Sequence, residues 1–328
     1  MPNQNRRLWW QELLIIFVLF GLLSTQALAA SFDCKKAFTK MEKAVCSNPK
    51  LSELDEQLAK AYHDALASLS PEGQKETKEY QRKWLKELSS YAEDSLYDPY
   101  EARIKQLQQI LIKFPDRVFR KVYVADSETD KSCEINDRAG KWLEYPQIEN
   151  PRNENEKFWN HLISQKAIDK FKRYEGCTDI VSIYTVRFSD KHLISCVGED
   201  DVFEHGAPHP YKGCDCLNWL LETRRKLELV DVFNNNTDWC NKLAALITHK
   251  KKEQEATDTC CRYIAPGEDL TTGFINIDQI RLSDWMVLKD GLAFRFERYN
   301  QRYYVLITID WKTLDPYLSK NGRSLIND

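Results

Sequence analysis

The chain has 328 residues, is 42% hydrophobic and 12% aromatic, and carries a formal net charge of −3. That length fits about two domains of the usual ~100–200 residues each, and the apolar content excludes an intrinsically disordered protein. A near-neutral, slightly acidic balance gives no electrostatic support for a nucleic-acid partner.

The first segment, residues 1–29, differs from everything after it. Arg6 and Arg7 form a positive start, Leu13 to Leu23 is an apolar run, and Ala27-Leu28-Ala29 is a small-x-small cleavage site. Together these describe a secretory signal peptide. The run is shorter than the ~20 residues a spanning helix needs, so no membrane segment is expected after cleavage. No cysteine follows Ala29 directly, which argues against lipoprotein attachment. All ten cysteines lie beyond the cleavage site: Cys34, Cys46, Cys133, Cys177, Cys196, Cys214, Cys216, Cys240, Cys260 and Cys261. An even count in an exported, periplasmic chain reads as disulfides, with connectivity left open.

Residues 30–115 read as a small helical domain. Leu51, Leu54, Leu58, Tyr62, Ala65 and Leu69 recur at spacings of three and four and mark one buried helix face. Ser70-Pro71 supplies an N-cap and an N1 proline for a second helix bearing Tyr80, Trp84, Leu88 and Tyr91. Asp98-Pro99 repeats that signal before a third stripe of Ile104, Leu107, Leu111 and Phe114. Within this region Phe32-Asp33-Cys34, Thr39, Glu42-Lys43-Ala44-Val45-Cys46, Leu51-Leu54-Asp55-Leu58-Ala61-Tyr62 and Gln81-Arg82-Trp84-Leu85 resemble the LprI family of exported lysozyme inhibitors over about residues 31–112. The resemblance implies a compact helical domain with Cys34 bonded to Cys46. It departs at Leu88, Ser89 and Ser95, where family members place an arginine and two cysteines.

Residues 116–328 change to strand patterns after Pro115. Val118 to Val124 is a first strand, Asp126 to Arg138 a polar loop, and Trp142 to Ile148 an extended piece. Phe158, Leu162, Ala167 and Phe171 form a helical stripe of core type. Thr178 to Phe188 and Leu193 to Phe203 alternate as strands around a Ser189-Asp190-Lys191 turn, and Cys214 to Leu221 is the next. A helix is expected at Asp238 to Lys252, then short strands at Phe274 to Ile280, Trp285 to Leu288, Ala293 to Phe296 and Tyr303 to Ile309, with Asp310 capping a last helix. The fold class expected for the whole chain is α+β in two domains, a small disulfide-bonded helical domain followed by an antiparallel-sheet domain with packed helices. Tyr145-Pro146-Gln147-Ile148, Gly206-Ala207-Pro208-His209-Pro210, Leu227-Leu229-Asp231-Phe233, Gly291-Leu292-Phe294-Phe296-Tyr299 and Tyr304-Val305-Ile307-Ile309-Asp310-Trp311 look like the extracytoplasmic domain shared by RsiV and PdaC, over about residues 118–320. At the central turn, where that domain has Gly-Gly-Ala-His, His205 replaces the first glycine and Pro208 is inserted before His209. In RsiV the domain receives lysozyme, so both resemblances imply the same partner.

The turn His205 to Cys216, H-G-A-P-H-P-Y-K-G-C-D-C, concentrates the candidate chemistry. His205, His209, Cys214 and Cys216 are four zinc-type donors, yet two thiolates on one strand face a ~7 Å repeat apart suit one tetrahedral ion poorly. A Cys-His nucleophile would be oxidised in an exporting compartment. Glu199, Asp200 and Asp201 are adjacent strand residues rather than a glycosidase pair. The lysine run Lys250-Lys251-Lys252 is a solvated helix end, the six tryptophans from Trp142 to Trp311 are core, and Asn235-Asn236-Thr237 is a loop. No catalytic residue, metal or cofactor is therefore expected. The residues expected to meet a partner are His205, His209, Tyr211 and Lys212 on a proline-braced turn, with Glu199, Asp200 and Asp201 as an acidic rim. Lysozymes are commonly strongly basic, and such a rim would orient one. Peptidoglycan is the second partner class considered.

Overall fold

In the computed structural model of the chain, residues 30–126, 140–173, 177–235, 238–257, 285–297 and 304–324 are described. The leader (residues 1–29), the polar loop expected at 126–138 apart from Asp126, which ends a strand, the strand expected at 274–280 and three of the cysteines (Cys133, Cys260 and Cys261) lie outside them. Among the described residues no helix is long and apolar enough to cross a membrane. The chain divides into two compact units: Met1–Ser68 with Gln81–Gln109, and Leu69–Tyr80 with Ile110–Asp328.

The first unit is helical. A 3-10 turn, Cys34–Lys36, leads into α1 (Lys40–Ser47), α2 (Pro49–Ser68), the second half of α3 (Pro71–Leu88) and α4 (Tyr97–Gln108). Thr39 and Glu42 form a reciprocal capping box at the start of α1, and the Asn48 side chain accepts from Lys50 and Leu51 N–H to start α2. The periodic face of α2 is buried at Leu51, Leu54, Leu58, Ala61 and Ala65, and α4 buries Tyr100, Ile104 and Leu107. Polar side chains sit inside this core with partners, among them Asp55 and Arg103. The Asp55 carboxylate accepts from Ser31 N–H (2.8 Å) and from the Tyr100 hydroxyl (3.3 Å), and Arg103 Nε donates to Gln81 (2.8 Å). Burial, then the Asp55 charge, pushes the Tyr100 hydroxyl up, so it remains a donor. Cys34 and Cys46 are bonded, closing a loop with a sequence separation of 12.

The third helical stripe ends earlier than its spacing suggests. α4 stops at Gln108, and Leu111 and Phe114 are not helical: β1 (Leu111–Lys113) pairs antiparallel with β2 (Val118–Asp126). Pro115 drives the residue before it towards extended backbone, and the Phe114 N–H turns to the Arg117 carbonyl.

The second unit is built on a seven-stranded sheet in sequence order: β1, β2, β3 (Lys141–Ile148), β4 (Thr178–Ser189), β5 (Leu193–Glu204), β6 (Tyr211–Leu220) and β7 (Arg225–Lys226). Every pairing is antiparallel except β3 with β4, which is parallel. The crossover that such a pair requires is α5 (Glu154–Lys172), which buries Trp159, Ile163, Ala167 and Phe171 against one sheet face. Gly198 lets the Tyr184 ring lie across its strand on this face, since a Cβ there would stand 2.4 Å from the ring.

Beyond β7 come α6 (Leu229–Val232), α7 (Trp239–Thr257) and a three-stranded sheet of β8 (Trp285–Leu288), β9 (Gly291–Glu297) and β10 (Tyr304–Asp310), then α8 (Trp311–Leu314) and α9 (Lys320–Ser324). The small sheet forms a second core with α7, and β8 lies against β4, β5 and β6. As the edge of its own sheet, β8 has backbone groups that need partners. Asn218 provides them, donating to the Trp285 carbonyl (2.9 Å) while its side-chain oxygen accepts from Val287 N–H (3.1 Å) and from the Ser195 hydroxyl (2.6 Å).

Within the second unit, two buried arginines fasten the first strands of the sheet to the elements packed on them. Arg117 meets Glu156 at 3.6 Å and donates to Ser189 and to the Asp190 carbonyl. Arg120 meets Glu76 at 3.0 Å and Glu149 at 3.1 Å, and donates to Gln147. The first half of α3 is held to the sheet in this way, with Tyr80 against Tyr123 and Trp142. The fold is α+β, a disulfide-bonded helical region followed by a mainly antiparallel sheet with packed helices.

Candidate partner-binding surface

β6 begins at Tyr211, three residues before the start expected from the pattern, so the connection from β5 shortens to His205 through Pro210. The turn is fixed locally. Gly206 has φ +97°, a left-handed backbone that glycine adopts without penalty, and Ala207 N–H donates to the Glu204 carbonyl (2.9 Å). Pro208 and Pro210 restrict φ on either side of His209, whose Nδ1 lies 3.2 Å from the Pro210 carbonyl. His205 is drawn back to the sheet, its Nε2 3.0 Å from Asp179 and its ring beside Phe203.

The rim residues divide between the two faces of β5, as a period of two demands. Glu199 and Asp201 share the face away from α5, where Glu199 meets Arg187 (3.4 Å) and Asp201 meets its cross-strand neighbour Lys212 (3.3 Å). Both pairs are solvent-exposed, where such contacts are worth about 0–1 kcal/mol. Asp200 points the other way and is 4% exposed. Lys170 of α5 neutralises it and the Ser182 hydroxyl donates to it (2.6 Å), while one turn earlier Lys166 reaches Asp215 (2.6 Å). Asp200 thus ties α5 to the sheet and is not part of an outward acidic strip. Tyr211 is half-buried and Lys212 exposed.

The structure separates the histidines from the thiols. Cys214 Sγ and Cys216 Sγ are 3.9 Å apart on one face of β6, next to Met286 and Ala293 of the small sheet. Among the described residues no three His, Cys, Asp or Glu side chains gather as a metal site would require. Cys177 is disulfide-bonded, whereas Cys196, Cys214, Cys216 and Cys240 carry thiols, so the expectation of disulfides throughout fails at these four. Cys196 lies in the core under α5, and burial pushes its thiol up, which makes it inert rather than nucleophilic.

The helical unit carries a second exposed element that the sequence pattern did not single out. Phe38, inside the loop closed by the Cys34–Cys46 bridge and directly before the α1 capping box, is 87% exposed, and its neighbours in sequence Lys35, Lys36, Lys40 and Lys43 are exposed as well. The available signal was an apolar residue immediately before an N-cap, with a lysine four places into the helix where a packing partner usually sits.

Comparison with known proteins bears on this unit. Residues 34–112 match the family model of the lysozyme inhibitor LprI. The match takes in the disulfide, the capping box and α1 to α4. No curated protein matches the chain. Similar solved structures include a DUF3298 family member from Bacteroides fragilis, with 14% identity, 62% of this chain and 94% of that chain covered, and a TM-score of 0.44. A DUF3298 family protein from Pseudomonas aeruginosa has 10% identity, 62% and 96% coverage and a TM-score of 0.43.

Proposed function

We propose that the protein is an exported, periplasmic envelope protein without enzymatic activity that binds lysozyme and inhibits it by occluding the substrate cleft. The observation that carries this reading is the LprI match over residues 34–112, on a unit whose disulfide and capping box hold one surface loop rigid. In this reading residues 30–115 form the LprI-like domain and residues 116–328 an RsiV-like domain, the second resemblance adding support for the same partner. Rigid presentation suits inhibition, because a docking loop already ordered loses little conformational entropy on binding.

The β5–β6 turn supplies a contact of its own in this proposal. His209 and Lys212 offer cations, Tyr211 an aromatic ring, His205 holds the turn base to Asp179, and Glu199 and Asp201 present carboxylates that steer a basic protein. A peptidoglycan-binding role without inhibition would need an exposed aromatic row, and here Trp159, Trp239, Trp285 and Trp311 are buried.

The experiment is a cell-wall lysis assay in which the purified mature chain is titrated into lysozyme alongside a direct binding measurement. A saturable loss of lytic rate is expected. Unchanged lysis together with no binding at micromolar protein overturns the proposal.

A further inference from the structure

We infer that Phe38 is the residue that enters the lysozyme cleft, an aromatic peg on a lysine-rich loop presented by the helical unit. This rests on the lysozyme-binding reading and adds the residue and the chemistry of the contact.

Phe38 is the most solvent-exposed large hydrophobic side chain among the described residues, at 87% against 55% for the next, Val230. A single exposed apolar residue is ordinary on a surface. What distinguishes this one is that its backbone is fixed on both sides while its side chain stands almost wholly in solvent. Before it, the Asp33 side chain accepts from Lys35 N–H (3.0 Å), Ala37 N–H donates to the Cys34 carbonyl (3.2 Å), and Cys34 is bonded to Cys46. After it, one Glu42 carboxylate oxygen accepts from both Phe38 N–H and Thr39 N–H, each at 2.8 Å. The loop is thus ordered without any help from the phenyl ring.

The ring also lacks the structural use its position usually has. Phe38 directly precedes the N-cap Thr39, where a hydrophobic residue normally packs on one at the fourth helical position. That position is Lys43, and it is exposed. The staple is missing and the aromatic surface is left for another molecule.

Charge says what that molecule offers. Lys35, Lys36, Lys40 and Lys43 are all exposed, and no ion pair among the described residues occupies any of them. Only Asp33 and Glu42 oppose them in this stretch, and Glu42 is committed to the loop backbone. An apolar tip on a cationic loop complements a cleft that combines a hydrophobic pocket with carboxylates. Lysozyme has that combination, one carboxyl group in a hydrophobic pocket and a second kept ionised nearby. A buried aromatic anchor with a charged surround is also the composition of an interface hot spot.

The test uses the full mature chain and a retaining lysozyme, with binding by calorimetry and inhibition by lysis. Phe38→Ala is expected to weaken both by about 30-fold or more, the range of a hot-spot truncation. Phe38→Trp keeps the aromatic tip and stays within about 3-fold of the parent, and Val230→Ala, an exposed apolar residue of the other unit, changes neither. An N-acetylglucosamine oligomer filling the cleft is expected to compete with the parent chain. An unchanged thermal midpoint for Phe38→Ala shows that its loss is one of contact, since the ring supports nothing in the fold. If the parent inhibits and Phe38→Ala inhibits equally, or if oligomer-filled lysozyme binds as well as free lysozyme, the assignment of Phe38 is overturned while lysozyme binding stands. If the parent neither binds nor inhibits, both fall together.

Discussion

The two units solve the problem of holding a surface still by different means. The helical unit uses a covalent bridge and terminal capping, with Cys34–Cys46 and the Thr39–Glu42 box within fifteen residues of one another, and its few buried polar groups bond within the unit. The sheet unit uses buried charge and buried amides: Arg117 with Glu156, Arg120 with Glu76 and Glu149, Asp200 with Lys170, and Asn218 bridging two sheets. A small core buries too little apolar area to order its own loops, so local devices do it. A large sheet can enclose ion pairs that fix the positions of its layers. The difference predicts that damage to the helical unit stays local and damage to the sheet unit spreads.

The largest effect is expected at Glu156. Its carboxylate is 2% exposed and holds Arg152 (2.6 Å) as well as Arg117, which is equally buried. Glu156→Leu leaves Arg117 charged and unpaired in the interior, a loss of about 3–5 kcal/mol in chemical denaturation. Arg117→Met combined with Glu156→Leu recovers most of it, because no charge then remains buried. The same carboxyl gives a pH signature. Desolvation raises its pKa, but hydrogen bonds from Arg152 and the charges of Arg152 and Arg117 outweigh that and hold it below the ordinary glutamate value. Its stabilisation is therefore fully present above the unfolded-state pKa and is lost as pH falls through the lowered folded one. A denaturation midpoint that falls between pH 5 and pH 3 in the parent, and falls less in the double variant, checks the sign.

Removing the bridge with Cys34→Ser and Cys46→Ser is expected to cost about 2–3 kcal/mol, given the short loop it closes. Hydrogen exchange measured along the chain is the discriminating readout. Faster exchange confined to residues 34–68 supports local damage, whereas equal acceleration in β4 to β6 breaks the contrast between the units. Asn218→Leu comes next, at about 2 kcal/mol, because the Trp285 carbonyl loses its donor inside the protein. Its exchange pattern is expected to reach both sheets.

How far the sequence reveals these arrangements depends on the range of the interaction. Helix faces, capping and strand alternation are local, and Leu51 to Leu69, Ser70-Pro71, Thr178 to Phe188 and Asp310 announce their elements in the chain itself; the Ser70 hydroxyl accepts from Gly73 N–H and Asp310 caps α8 as its pattern suggests. The parallel pairing of β3 with β4 is not local, and nothing in either strand states it. Leu111 and Phe114 continue the spacing of α4, yet β2 offers Leu111–Lys113 a strand partner that spacing cannot show. Asp200 illustrates the same limit at the candidate surface. Alternation alone sets it on the opposite face from Glu199 and Asp201, but that this face is the covered one follows from α5, whose Lys166 and Lys170 one turn apart were the readable trace. Phe38 escaped because an apolar residue at the edge of a helix reads as a staple until Lys43 is seen to be unable to receive it.

The smallest effect is the one that bears most directly on the docking loop. Thr39→Ala removes one half of the capping box, the acceptor for Glu42 N–H at 3.1 Å, and is expected to cost about 1 kcal/mol at most, since Glu42 can still accept from Phe38 and Thr39 N–H. Measured by thermal unfolding the change is modest, with faster exchange at the first turn of α1 as its local mark. If rigid presentation of Phe38 drives binding, lysozyme affinity falls by more than the lost stability alone requires, because the freed loop must be ordered again on docking. A Thr39→Ala chain that frays at α1 yet binds as tightly as the parent would show that the helical unit's local devices serve its fold alone, and would remove the functional half of the contrast between the two units.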